Sequence, residues 1–112
     1  MTTSIDPTTT SAWSALSAHH KSLTPNLREW FAADPERAQK LSFTADELHV
    51  DLSKNLITSE TLELLVKLAE EGKLEQAREA MFSGEHINVT EDRAVLHTAL
   101  RRPEGYTPAL TV

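Results

Sequence analysis

The stretch TSETLELLVKLAEEG, residues 58–72, constrains the fold most, because it predicts a helix that cannot stand alone. Thr58 or Ser59 can cap its start, and Gly72 can end it. Its charged residues form only a narrow strip: Glu60, Glu63, Lys67 and Glu70. Apolar residues fill most of the remaining circumference: Leu62, Leu64, Leu65, Val66, Leu68 and Ala69. Because a lone surface helix shows an apolar stripe of only about 100°, this helix needs neighbours on more than one side.

Capping residues and prolines predict three shorter helices before residue 42. The first starts at Thr10 or Ser11 and places four residues on one side: Trp13, Leu16, His20 and Leu23. The second is capped by Thr24, with Pro25 at its first helical position, and Asp34 and Pro35 repeat that arrangement for the third. A break between the second and third helices is therefore expected at Ala33–Asp34.

The stretch LSFTADELHVDLSKN has the period of a strand instead. Phe43 and then Leu48, Val50 and Leu52 alternate with polar residues, and residues 45–47 can form a turn. This pattern predicts a hairpin near residues 42–53. Two helices are predicted further along the chain: KLEQAREAMFSG, ended by Gly84, and TEDRAVLHTALR, capped by Thr90 and halted by Pro103.

The predicted fold class is mainly α with a small β-hairpin, an α+β arrangement with five or so helices. Residues 1–10 are rich in Thr and Ser and predict a disordered leader. The closing residues, EGYTPALTV, look like the start of a strand.

Charge and composition narrow the functional classes. The chain has 112 residues and a net charge of −6, from 17 acids and 11 bases. This balance argues against binding to nucleic acid or to an anionic membrane, since both favour a cationic surface. Cysteine is absent, which removes disulfides, thiolate nucleophiles and cysteine-based metal sites. There is no secretory signal and no run of about 20 apolar residues, so we expect a soluble cytoplasmic protein.

Residues 87–103, INVTEDRAVLHTALRRP, contain the side chains of an acid–base site. In the predicted helix, however, Glu91 and Asp92 occupy the first turn, where acids stabilise the positive end of the helix dipole. As neighbours in sequence they do not face each other. Arg93 and His97 share a face with Arg101, and two cations disfavour protonation of the histidine. We therefore interpret His97 as neutral and hydrogen-bonded, on a structural polar face.

Other candidate residues form no recognisable site. His19 and His20 point in different directions on a helix, His49 lies in a strand, and His86 lies in a loop. No two histidines have the spacing that places two metal ligands on one helix face. Ser53 and Lys54 are adjacent in an extended segment and point to opposite sides, so a loop-end role for Lys54 is favoured over nucleophilic catalysis. Asn88-Val89-Thr90 matches a glycosylation sequon, but the chain shows no secretory signal, so we interpret the match as chance.

Three stretches resemble the N-terminal region of the glucose-6-phosphate isomerase (phosphoglucose isomerase) family. They are WFAADPERAQKLSF, DLSKNLITSETLELLVKLAEE and AMFSGEHINVTEDRAVLHTALR. They follow the family order from about Trp13 to Arg101. The resemblance implies the N-terminal part of the large α/β sugar-isomerase-type (SIS) fold. In that case, residues 11–112 are a helical segment and not a complete domain.

The resemblance also implies a function. The family interconverts glucose 6-phosphate and fructose 6-phosphate by acid–base proton transfer through an enediol, without metal or cofactor and usually as a homodimer. Its phosphate loops and catalytic residues belong to motifs beyond Val112, so no catalytic residue is carried over to this chain. We expect a truncated isomerase that is inactive alone. The alternative is a non-catalytic helical module that binds a protein partner.

Overall fold

The computed structural model describes residues 4–105, which form two compact units. The central unit is Thr8–Leu68, and the flanking unit consists of the described residues on either side of it. In the described part of the chain, five α-helices accompany one antiparallel hairpin, which confirms a mainly helical α+β architecture. The predicted closing strand lies outside the described residues from position 106 on. The disordered leader stays a prediction, although Pro7–Thr9 forms a 3-10 turn.

The central unit begins with α1 (Ser11–Ser22), whose N-cap is Thr10. The Thr10 hydroxyl accepts a hydrogen bond from the Trp13 N–H at 3.2 Å, so the predicted start is confirmed. The predicted inner face is wrong by one position, because His19 is buried and His20 is exposed. Ala12, Leu16, His19 and Leu23 form the covered side, while Trp13 is exposed.

The next two helices start later than predicted. Helix α2 (Leu27–Ala33) is capped by Asn26 rather than Thr24, since the Asn26 side-chain oxygen accepts from the Glu29 N–H at 3.2 Å. Helix α3 (Arg37–Lys40) begins beyond Pro35. There the Asp34 carboxylate accepts from the Glu36 N–H at 3.0 Å and forms a turn ahead of the helix. The break at Ala33–Asp34 is confirmed.

The hairpin pairs β1 (Ser42–Ala45) with β2 (Leu48–Asp51). Its register places Ser42 opposite Asp51 and Ala45 opposite Leu48. The two turn residues are Asp46 and Glu47, and Asp46 has a left-handed φ of 54°, which suits a tight hairpin turn. The hairpin is confirmed, with Ala45 in the strand rather than in the turn.

Helix α4 (Ser59–Glu71) has the predicted bounds. Thr58 caps its first turn, because the Thr58 hydroxyl accepts a hydrogen bond from the Thr61 N–H at 3.4 Å. Helix α5 (Leu74–Ser83) ends at Gly84, whose left-handed φ of 84° suits a residue without a Cβ. Several large apolar side chains on these helices remain exposed: Leu65, Val66, Leu74 and Phe82. Contacts among the described residues therefore leave much of the apolar surface uncovered.

The predicted helix from Thr90 to Arg101 is wrong. Asn88 and Arg93 form an isolated antiparallel bridge, with backbone bonds of 3.1 and 3.2 Å. Asp92 has a left-handed φ of 51°, which an α-helix does not accept. Only His97–Arg101 is helical, as a 3-10 turn. The Asn88 side chain explains the difference, because it accepts from the Glu91 N–H at 3.3 Å and from the Thr90 hydroxyl at 2.9 Å and so stabilises a turn instead.

Candidate functional sites

Arg37 is the most enclosed cation described, with only 6% of its surface exposed. Its Nε donates to the carbonyl of Ser53 at 2.9 Å, and one Nη donates to the carbonyls of Asn55 and Ile57 at 3.0 Å each. The guanidinium also lies over the ring of Trp30, with its carbon 4.8 Å from the ring centroid. Backbone carbonyls and an aromatic face thus surround the charge, an arrangement that a planar, multi-donor arginine fits.

This arrangement holds the loop 53–57 against α3. Arginine often binds phosphate, but here Nε and one Nη of Arg37 already donate to backbone oxygens of the same unit. A depression of about 430 Å³ borders Arg37, Asp34 and Glu60. The two carboxylates on its rim oppose an anionic ligand by like-charge repulsion. Chemically, Arg37 is suited to fixing backbone geometry.

Ser53 and Lys54 lie in different environments. Ser53 is 2% exposed, and Lys54 is exposed. The Ser53 N–H donates to the Asp51 carboxylate at 2.8 Å. Ser53 is thus part of a buried turn, and the loop-end role of Lys54 stays a prediction.

His19 contacts the start of α4 inside the central unit. Its Nε2 lies 2.6 Å from the Thr61 hydroxyl oxygen, and its Nδ1 lies 3.7 Å from the Glu60 carboxylate. Both His19 and Thr61 are buried, at 9% and 8% exposure. The carboxylate favours a proton on Nδ1, which leaves Nε2 to accept the Thr61 hydroxyl proton.

The order carboxylate, imidazole, hydroxyl also occurs in nucleophilic enzymes. Here the Thr61 oxygen is buried and additionally accepts the Thr58 N–H at 3.0 Å. Hydrogen bonds within the central unit thus occupy that oxygen, which lies at the start of α4. The three side chains therefore join α1 to α4. No local sequence pattern predicts this pair, because His19 and Thr61 are 42 positions apart.

Two carboxylates of the central unit have lowered pKa values. Hydrogen bonds from Ser53, through its side chain and its backbone N–H, lower the pKa of Asp51, and Ser42 and His49 add smaller effects. The hydrogen bond from Lys40 at 2.9 Å lowers the pKa of Asp34, and it raises the pKa of Lys40 in turn. Both carboxylates are thus held ionised, as structural acceptors rather than as proton donors.

The predicted polar face around His97 is not assembled. Since residues 90–96 are not helical, Arg93 and His97 do not share a helix face, and His97 is exposed. Glu91 and Asp92 lie in a turn, where Asp92 Oδ1 is 3.0 Å from His86 Nδ1. Sequence reasoning missed this exposed pair, because His86 and Asp92 become neighbours only through the turn. Nothing in this geometry brings an acid, a base and a binding pocket together.

No group of three His, Cys, Asp or Glu side chains able to hold a metal ion occurs within residues 4–105. In the same part of the chain, no helix has the length and apolar character required to cross a membrane.

Comparison with known proteins identifies the chain. The family model described as phosphoglucose isomerase matches residues 51–109, more than half of the chain. The glucose-6-phosphate isomerase of Bifidobacterium longum is 56% identical over 102 residues, and that of Corynebacterium kroppenstedtii is 60% identical over 99 residues. Each alignment covers 88% of this chain and 18% of the relative. The glucose-6-phosphate isomerase of Pseudomonas aeruginosa is 53% identical, with 92% of this chain and 19% of the relative covered.

The chain thus spans about a fifth of the length of the curated relatives that it matches. The matched region includes the loop 53–57 that Arg37 binds, the whole of α4 and α5, and the turn around Asn88. On this evidence, the chain belongs to the phosphoglucose isomerase family.

Proposed function

We propose that this chain is the N-terminal segment of an enzyme that interconverts glucose 6-phosphate and fructose 6-phosphate. The reaction is an acid–base proton transfer between two sugar carbons through an enediol, and it uses neither metal nor cofactor. One observation carries the proposal: relatives 52–60% identical across most of the chain are named glucose-6-phosphate isomerase. In this proposal the intact enzyme is a cytoplasmic homodimer with the SIS-type fold, and glycolysis and gluconeogenesis use its reaction.

Within that enzyme, the segment serves as scaffold. Its most enclosed cation, Arg37, donates to three carbonyls, and its buried histidine, His19, contacts Thr61. A sugar phosphate needs donors aimed at the anion, and proton transfer needs a base within hydrogen-bond reach of a held substrate. Positioning of this kind can supply roughly 7–11 kcal/mol of the barrier reduction. We therefore propose that the chain alone is inactive and that catalytic residues belong to the remainder of the enzyme.

The partner that fits this proposal is the sugar phosphate, bound by the intact enzyme. Nucleic acid and anionic membranes are not expected partners, since the net charge of −6 opposes binding to polyanionic surfaces.

A chimeric enzyme tests the proposal. This chain would replace the matching segment of the Corynebacterium kroppenstedtii isomerase, with expression in a host that lacks its own isomerase. Glucose 6-phosphate formed from fructose 6-phosphate is the readout. We expect kcat within about tenfold of the parent enzyme, about 1.4 kcal/mol in barrier. The parent enzyme lacking the segment and the 112-residue chain alone are the controls, and both should be inactive.

Two results would overturn the proposal. One is a chimera with the same unfolding temperature as the parent and no turnover, which would favour the non-catalytic module. The other is turnover by the 112-residue chain alone, which would place catalytic residues within it.

A further inference from the structure

The hairpin has one apolar face and one polar face. Residues opposite each other in an antiparallel pair lie on the same face, and successive residues alternate. The register therefore places Phe43, Ala45, Leu48 and Val50 on one face, and Ser42, Thr44, His49 and Asp51 on the other. No charged residue interrupts the first face, which we call the apolar hairpin face.

Exposure rises along this face from the base of the hairpin to its tip. Leu41 at the base is 2% exposed, and its carbonyl accepts from the Leu52 N–H at 2.9 Å, which extends the ladder. Phe43 is 52% exposed, and Leu48 beside the turn is 65% exposed. The described residues thus cover the base of the apolar hairpin face and leave its outer part open.

The polar face has a different setting. Ser42, Thr44, His49 and Asp51 border an open depression of about 440 Å³ together with Ala38 and Gln39 of α3, and Phe43 of the apolar face reaches its edge. Polar side chains remain hydrated there at little cost. Burial of exposed Phe and Leu side chains is favourable, because apolar surface leaves water. A two-stranded hairpin is also marginal by itself and needs other structure to pack on.

We infer that the apolar hairpin face docks on the remaining polypeptide of the isomerase, a statement that rests on the proposed function. The length of the relatives identifies the occupant. They are more than five times as long as the part that this chain matches, since the alignment covers 18% of them. An alignment over 88% of the chain includes the central hairpin wherever it begins. The hairpin is therefore shared with enzymes that contain a large further body of protein.

The lack of cysteine provides a direct test. Leu48→Cys places a thiol on the apolar hairpin face, and His49→Cys places one on the polar face one residue away. Each variant would be reacted with a maleimide, as the 112-residue chain and within the Corynebacterium kroppenstedtii chimera. Mass spectrometry of the hairpin peptide would measure the labelling rate at the introduced thiol alone, so cysteines of the relative would not interfere.

We expect both thiols to react readily in the 112-residue chain, since both positions are exposed. In an active chimera, the Leu48→Cys thiol should react at least about tenfold more slowly, because docking must open before the reagent enters. The His49→Cys thiol should change much less. Equal labelling of Leu48→Cys in the chain and in an active chimera would overturn the docking inference and leave the proposed function intact.

A second copy of the chain is the competing occupant. Labelling of Leu48→Cys in the 112-residue chain that slows as protein concentration rises would assign the face to self-association and overturn the inference. A folded but inactive chimera would instead overturn the proposed function, and the docking inference with it.

Discussion

Residues 34–61 and residues 86–101 use similar polar and charged side chains to different ends. In the first region, Arg37 bonds carbonyls 16, 18 and 20 positions away, and Thr61 meets a histidine 42 positions away. In the second, Asn88 bonds Thr90 and Glu91, two and three positions away, and His86 meets Asp92, six positions away. The first set is largely buried and the second is exposed.

This difference shows how far a polar residue influences the fold. Burial removes a polar group from water, and its hydrogen-bond partner compensates for the lost hydration. Without the partner that loss is uncompensated, whereas an exposed group exchanges its partner for water. We therefore expect substitutions of the buried polar residues within 34–61 to affect stability strongly, and those in residues 86–101 to act weakly and locally.

Arg37→Met should have the largest effect. It removes the donors for three carbonyls, and a hydrogen bond to a charged group is worth roughly 1.5–3 kcal/mol. We expect a loss of about 3 kcal/mol or more in the free energy of unfolding, measured by urea denaturation. Arg37→Lys should recover less than about half of it, because an ammonium lacks the planar fork. Arg28→Met, at an exposed position of α2, is the control and should change stability by less than about 0.5 kcal/mol.

Thr61→Val should come next. It leaves His19 Nε2 and the Thr58 N–H without their buried partner, which costs about 1–3 kcal/mol of unfolding free energy. A double-mutant cycle with His19→Leu should give a coupling of about 0.5–3 kcal/mol. Strictly additive effects of the two substitutions would contradict a stabilising contact between His19 of α1 and Thr61 of α4. Thr44→Val on the hairpin is the matched control.

Asp51→Asn should have a smaller, pH-dependent effect. The pKa of Asp51 is lowered in the folded chain, so its stabilising contribution is complete above the unfolded pKa of about 3.9. That contribution is lost as pH falls through the lower folded pKa. The stability difference between the native chain and Asp51→Asn should therefore be larger at neutral pH and shrink on acidification. Asp46→Asn, in the hairpin turn, removes the same charge and is the control.

Asp92→Ala tests the turn that replaces the predicted helix. A left-handed φ of 51° is unfavourable for alanine by roughly 1–2 kcal/mol, so a loss of about 1 kcal/mol in unfolding free energy is expected. Asp92→Asn should stay close to the native value, because asparagine tolerates this conformation. An increase in stability with alanine would instead indicate that residues 90–96 are helical.

His97→Asn should have the smallest effect. His97 is exposed at the start of a 3-10 turn, so the free energy of unfolding should change by less than about 0.5 kcal/mol. His19→Asn, at the buried histidine, is the contrasting variant and should lose considerably more. Equal losses at the two positions would remove the distinction between the two regions.

Local signals predicted much of the fold. Thr10, Gly84 and the alternation through Leu48 and Val50 act within a few residues, so the bounds of α1, α5 and the hairpin follow from sequence. The errors also have local causes. Asn26 rather than Thr24 caps α2. The Asn88 side chain and the left-handed φ of Asp92 form a turn where the last helix was predicted to begin.

The buried polar contacts were beyond sequence reasoning. Nothing local marks Arg37 as the donor to residues 53–57, or His19 as the partner of Thr61. The periodicity of α1 favoured His20 as the inward histidine, since Trp13 and Leu16 suggested the apolar face. Tertiary contacts instead bury the neighbouring face of the helix, which contains Ala12 and His19.

The position of Arg37 ahead of its acceptors has a consequence during synthesis. A chain leaves the ribosome from its N-terminus at about 5–20 residues per second. The guanidinium emerges before Ser53, Asn55 and Ile57, so its three carbonyl acceptors become available one after another, and Ile57 is the last. The three hydrogen bonds that hold loop 53–57 against α3 are therefore complete only after residues through Ile57 have been made and released.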